Sequence, residues 1–137
     1  PWPLRPEWAQ RGVIAADELT RQVTGGPAAY LAAVFAALFA DNRDISELAV
    51  VEALATSVGL DQARFAALVR DERTRLQVEK NGAELVARGG FGTPTFLVAS
   101  GGEGGDLYFG NDRVPLVEAA LARLGGMRLV LPGAHGA

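Results

Sequence analysis

Apolar positions recur at helical spacing through most of the chain and change to a strand-like run only near residue 95. Tyr30, Val34 and Leu38 stand four apart, with Leu31, Phe35 and Phe39 beside them. That spacing predicts a helix from Pro27 through Phe39, with an apolar stripe wide enough to be buried over much of its circumference. Proline suits the first turn of such a helix, where a missing N–H costs nothing. Ahead of it, Ala15 to Val23 predicts a short helix broken at Thr24-Gly25-Gly26, and Pro1 to Trp8 reads as extended because its three prolines restrict themselves and their predecessors. Trp2 and Trp8 read as surface anchors or as core filler.

After the polar turn Asp41-Asn42-Arg43-Asp44, either Asp44 or Ser46 is placed to cap the next helix, with Glu47 three residues beyond Asp44. Leu48, Val51, Leu54 and Val58 form its inner face, and Gly59 supplies a left-handed stop. Asp61 caps a further helix that carries Phe65, Leu68 and Val69. A longer helix of mixed charge is predicted from Asp71 to Arg88, ended by Gly89-Gly90. Thr95 to Ala99 is rich in β-branched and aromatic residues and predicts a strand. The glycine-rich run from Gly101 to Gly105 reads as a hairpin turn, and Leu107 to Gly110 as the returning strand. A last helix holds Pro115 early and Leu116, Val117, Ala120, Leu121 and Leu124 on one side. Gly125-Gly126 closes it, and Met127 to Leu131 is an apolar run of undecided class.

Composition narrows the functional classes. The chain has 137 residues, 49% of them apolar and 21% charged, enough for one domain with a usable core. Its formal charge is −3 and its only lysine is Lys80. No basic run interleaved with aromatics is present, so nucleic acid is not an expected partner. No apolar run reaches the ~20 residues of a membrane span, and no membrane partner is expected. With no cysteine, this chain holds no disulfide, no thiolate metal site and no Cys-x-x-Cys pair. The lone His135 lies in a Gly/Ala tail, so no metal is expected. Glu47, Glu52, Asp71, Glu72 and Glu79 fall on scattered helix faces and do not converge as an acid/base pair.

Chemistry concentrates in two short segments. Gly90-Phe91-Gly92-Thr93-Pro94-Thr95-Phe96 places a Thr-Pro step at a strand entrance, a candidate cis bond. Tyr108-Phe109-Gly110-Asn111-Asp112-Arg113 joins the second strand to the last helix. Read alone, Asp112 is a helix cap, Asn111 a turn residue, Arg113 a solvated or salt-bridged charge, and Phe91 and Phe96 core side chains. Taken together with Asn81, with Arg88-Gly89 ahead of the first segment, and with Leu116-Val117-Glu118-Ala119-Ala120-Leu121 after the second, they resemble the DsbA-like thioredoxin-fold family. Within it they are most similar to the branch of 2-hydroxychromene-2-carboxylate isomerases and kappa-class glutathione transferases. Arg43-Asp44-Ile45-Ser46 and Val58-Gly59-Leu60-Asp61 fit that family's helical insert.

The resemblance implies an α/β thioredoxin-like fold with an all-helical insertion, mostly helical in this chain, with a small C-terminal β-hairpin. It divides the chain into an extended lead-in over 1–14, a helical insertion over 15–90, the C-terminal half of the thioredoxin-like part over 91–126 and a tail over 127–137. It implies glutathione as cofactor, held by Thr93 and Pro94 through the backbone and by Asn111 and Asp112 at the start of the last helix. Asn81 is implied to support the loop before Pro94. The implied activity is isomerisation or transfer on a small aromatic or electrophilic substrate. The alternatives are a thiol–disulfide oxidoreductase whose dithiol lies in an N-terminal segment absent from this sequence, and a non-catalytic thioredoxin-like remnant.

In the resembled families the reactive Ser or Cys stands after a first strand. That strand–helix–strand unit has no counterpart here, so no catalytic residue is identifiable in this chain, and Ser46, Ser57 and Ser100 are not assigned the role. A two-stranded hairpin is marginal alone, so its open edge is expected to be completed by an upstream segment, a second copy in a homodimer, or another strand-completing partner. A cytoplasmic location is the expectation.

Overall fold

The computed structural model of the chain describes residues 5–21, 26–99 and 104–126. Trp2, Ser100, Gly101 to Glu103, His135 and the run Met127 to Leu131 lie outside the described residues. The chain divides into two compact units, residues 1–82 and 83–137.

The first unit is helical. Helices α1 (Glu7–Thr20), α2 (Ala28–Phe39), α3 (Leu48–Ser57) and α4 (Gln62–Arg70) enclose one core, and α5 (Glu72–Ala87) follows. Tyr30, Val51, Phe65 and Val69 are its largest fully buried side chains. The Tyr30 and Phe65 rings meet in a tilted pair with centroids 5.4 Å apart. Asp61 caps α4 as expected, its carboxylate accepting the Arg64 N–H at 2.7 Å. Gly59 takes φ +80° after α3, the left-handed stop that its position predicts. At the next corner Asp71 accepts the Arg73 N–H at 2.8 Å, and the Thr74 hydroxyl lies 2.6 Å from both the Leu68 and Asp71 carbonyls.

Three expectations for this unit are corrected. The lead-in is not extended through residue 14, because α1 starts at Glu7 with Pro6 at its N-cap. Its buried stripe runs through Ala9, Arg11, Gly12, Ala15 and Ala16, and a glycine and an arginine in that stripe hide the helical periodicity. Gly12 is buried because the Tyr30 hydroxyl packs there; a Cβ on Gly12 would stand 2.1 Å from that oxygen. The Arg11 guanidinium lies 4.5 Å above the Trp8 ring and donates to Glu7 and to the Asp71 carbonyl. Trp8 is half-buried against the core.

Second, α2 is buried on one side only. Tyr30, Val34 and Ala37 point into the core, whereas Leu31, Phe35 and Phe39 are exposed, with the two phenylalanine rings stacked 5.7 Å apart. Third, neither Asp44 nor Ser46 caps α3, whose N-cap is Glu47 without a side-chain bond. The Asp44 carboxylate instead closes its own turn, accepting from the Ser46 N–H at 2.9 Å and the Ser46 hydroxyl at 2.6 Å. The hydroxyl bond chiefly, with the N–H, holds this carboxyl below its ordinary range.

The second unit contains a hairpin and a helix. Strands β1 (Thr95–Val98) and β2 (Asp106–Phe109) pair antiparallel with Thr95 opposite Phe109 and Val98 opposite Asp106. Strand alternation puts Phe96, Val98 and Tyr108 on one face and Thr95, Leu97, Leu107 and Phe109 on the other. Helix α6 (Val114–Leu124) covers the first face, where Val98, Val117 and Ala120 are buried with Phe96 and Tyr108 against them. Contrary to expectation, the apolar face of α6 is only partly covered: Leu116, Leu121 and Leu124 are about half exposed. Before the hairpin, Gly89 at φ +85° turns the chain out of α5, and the Gly90 N–H donates to the Leu85 carbonyl at 2.8 Å. Gly90 is buried against the Leu85 side chain, which a Cβ would meet at 2.3 Å.

Candidate functional site

The residues singled out from the sequence converge at one end of the hairpin. Thr93-Pro94 leads into β1, Gly110 leaves β2, and the paired residues Thr95 and Phe109 lie between them. The Gly110 N–H donates to the Pro94 carbonyl at 2.9 Å, which ties the two segments together. The Thr93–Pro94 peptide bond is cis. Thr93 and Pro94 are both exposed. Below them the Thr95 hydroxyl donates to the Gly92 carbonyl at 2.5 Å and fixes the turn. Among the described residues, the Thr93 N–H and C=O have no backbone partner.

Asn111 and Asp112 open a single 3₁₀ turn (Asn111–Arg113) that runs into α6. The Arg113 N–H bonds the Gly110 carbonyl and the Val114 N–H bonds the Asn111 carbonyl. The Asn111 and Asp112 N–H groups come before any helical acceptor and are the orphan donors of this terminus. Gly110 sits at φ +105° with the Asp112 carboxylate folded against it; a Cβ there would lie 2.4 Å from Asp112 Oδ1. Asp112 Oδ2 is 3.4 Å from Arg113 Nε, so Arg113 has the salt-bridged role read from the sequence. Free N–H groups and the positive end of a helix dipole favour a carboxylate at this place.

Asn81 is exposed and accepts a hydrogen bond from the Gln77 amide within its own helix, at 2.7 Å. The Ser46 hydroxyl is committed to Asp44 and the Ser57 hydroxyl to the Leu54 carbonyl at 2.7 Å. Glu52 pairs with Arg70, Asp71 with Arg73, and Glu72 and Glu79 both with Arg75. These carboxylates are solvated arginine partners. The Arg73 side chain chiefly holds the Asp71 carboxyl below its ordinary range, and Arg75 does the same for Glu72. No cluster of potential metal ligands occurs among the described residues, and no helix there is long and apolar enough to cross a membrane.

One feature of the site escaped the sequence reading. Phe91, expected in the core, is 76% exposed and lies against Phe109, with ring centroids 4.6 Å apart at 45°. Gly92 makes that contact feasible, because a Cβ there would stand 2.6 Å from the Phe109 ring. Phe-Gly immediately before Thr-Pro was the available signal. Phe96 is half-buried against the α6 core, as expected. A cleft of about 430 Å³ beside Val98, Asp106 and Ala120 belongs to the opposite end of the hairpin.

The model of the DSBA-like thioredoxin domain matches residues 8–122. None of the curated proteins and none of the solved structures matches the chain.

Proposed function

The chain belongs to the DSBA-like thioredoxin domain family, its fold is thioredoxin-like with a helical insertion, and on that premise we propose that residues 93–94 and 111–112 bind glutathione. The observation that carries the reading is the pairing of two unmet needs. An unpartnered backbone at Thr93 is tied, through the Gly110 N–H on the Pro94 carbonyl, to the orphan N–H groups of Asn111 and Asp112. An extended thiol peptide adds to the Thr93 backbone as a strand adds to an edge. Its γ-glutamyl carboxylate meets the Asn111 and Asp112 N–H groups, and the Asp112 carboxylate accepts from its ammonium. The residues present fit this ligand in charge and in hydrogen-bond sense.

Bound glutathione supplies a nucleophilic thiol. This chain holds and orients it, for isomerisation or transfer on a small aromatic or electrophilic substrate. Isothermal titration of the chain with glutathione tests the reading. Saturable heat with a Kd near or below about 1 mM, weakened about tenfold or more in Asp112→Asn, is expected, since a hydrogen bond to a charged group contributes about 1.5–3 kcal/mol. Absence of heat at millimolar ligand contradicts it.

The family match favours a second reading, thiol–disulfide exchange. With no cysteine in these 137 residues, its dithiol would belong to a segment outside the sequence given. A Cys-x-x-Cys at the start of an upstream helix would support exchange, and a serine there would support the glutathione reading.

A further inference from the structure

We infer that Phe91 and Phe109 form the subsite for the group carried on the bound thiol, and that they select aromatic substituents. The inference rests on the glutathione reading and adds to it a substrate class and the residues that choose it. Two observations carry it. The first is exposure with order: Phe91 is 76% exposed yet not loose, because its ring packs on Phe109 at 4.6 Å. Phe109 in turn is fixed by its pairing opposite Thr95 and by the bare Gly92 backbone under its ring. Two adjoining, half-open aromatic faces are an apolar surface that water covers poorly.

The second observation is direction. A residue added beside Thr93 projects its side chain roughly perpendicular to the sheet. One face of the hairpin is filled by α6 through Val98, Val117 and Ala120. Phe109 stands on the other face, and Phe91 lies beside it two residues before Thr93. The sulfur of a tripeptide held at Thr93 therefore has the Phe91–Phe109 face open to it. A flat aromatic group on that sulfur reaches the exposed ring of Phe91 in offset or edge contact, the geometries aromatic pairs favour.

The test compares S-methylglutathione with S-benzylglutathione by isothermal titration of the full chain. The wild type is expected to bind the benzyl conjugate about tenfold more tightly than the methyl one, the scale of one buried aromatic contact. Phe91→Ala is expected to bring that ratio close to one, and Phe91→Leu, which keeps apolar bulk without a ring, to leave about threefold. Circular dichroism verifies that each variant is folded, and the Leu variant carries the test if the Ala variant is not. A wild-type ratio near one, or a tenfold ratio that survives loss of the ring, overturns the subsite while leaving glutathione binding in place. If neither conjugate nor glutathione binds, the glutathione reading itself falls and the subsite with it.

Discussion

The two units solve the burial problem differently. Residues 1–82 enclose twelve buried apolar residues from four helices and the turn at Ile45, while residues 83–137 bury only Val98, Val117 and Ala120. The helical unit is a core with a surface. The C-terminal unit has an apolar helix face and an apolar sheet face, both half open, and it carries the candidate site. Stability and recognition are thus concentrated in different halves of the chain. Binding loops commonly come from the weakly held end of a structure, where backbone groups remain unpaired and available. Changes in the first unit are expected to act on folding, and changes in the second on ligand.

The largest expected effect tests the first half of that contrast. Phe65→Ala removes a ring that is 1% exposed and packed on Tyr30, and is expected to destabilise the helical unit by about 3–5 kcal/mol. Urea unfolding followed at the helix signal measures it. Hydrogen exchange should lose protection in α1 to α4; loss confined to residues 93–120 would reverse the assignment of stability.

Next in size is Gly110→Ala. A side chain at φ +105°, beside the Asp112 carboxylate, is expected to cost about 1–3 kcal/mol. Because Gly110 joins Pro94 to the start of α6, the loss should be read as weakened glutathione binding with the helical unit's exchange rates unchanged.

A third comparison uses pH. Burial pushes the Tyr30 hydroxyl above its ordinary value of 10.0, and this hydroxyl has no hydrogen-bond partner among the described residues. Above pH 10 the unfolded chain releases that proton while the folded chain keeps it. Stability should therefore be complete below pH 10 and fall beyond it by up to about 1.4 kcal/mol per pH unit. Tyr30→Phe should remove that share of the alkaline slope. Near neutral pH the variant should be no less stable than the wild type, since it deletes an unsatisfied polar atom. The smallest effect is expected for Arg70→Ala, which breaks a surface pair with Glu52 and should change stability by under about 0.5 kcal/mol.

What the sequence shows of this fold follows from where its signals are local. Asp61 and Gly59 mark helix ends because a cap and a left-handed stop are satisfied by the residue's own neighbours. The hairpin and the last helix are legible in the same way, through alternation, turn residues and Pro115. Helix α1 is obscured because its inner stripe uses Gly12 and Arg11, whose burial depends on Tyr30, Trp8 and Asp71 in distant segments. For α2 and α6, periodicity correctly groups the apolar residues by face but carries no information on whether a face has a partner, so Phe35 and Leu121 read as buried and are not. Asp44 reads as a helix cap because Asx turns and caps share a sequence signature. In the site, the Thr-Pro and Gly-Asn-Asp segments are visible as motifs. The Phe91–Phe109 contact is not, because it forms across a strand pair and over a glycine.

The account's central claim is that one end of the hairpin is a tripeptide site. Amide chemical shifts recorded during titration of the ¹⁵N-labelled chain with glutathione test it most directly. Perturbations concentrated at residues 93–96 and 109–113, saturating with the same Kd as the heat of binding, are predicted. Shifts confined to helices α1 to α4, or none at millimolar glutathione, would contradict it.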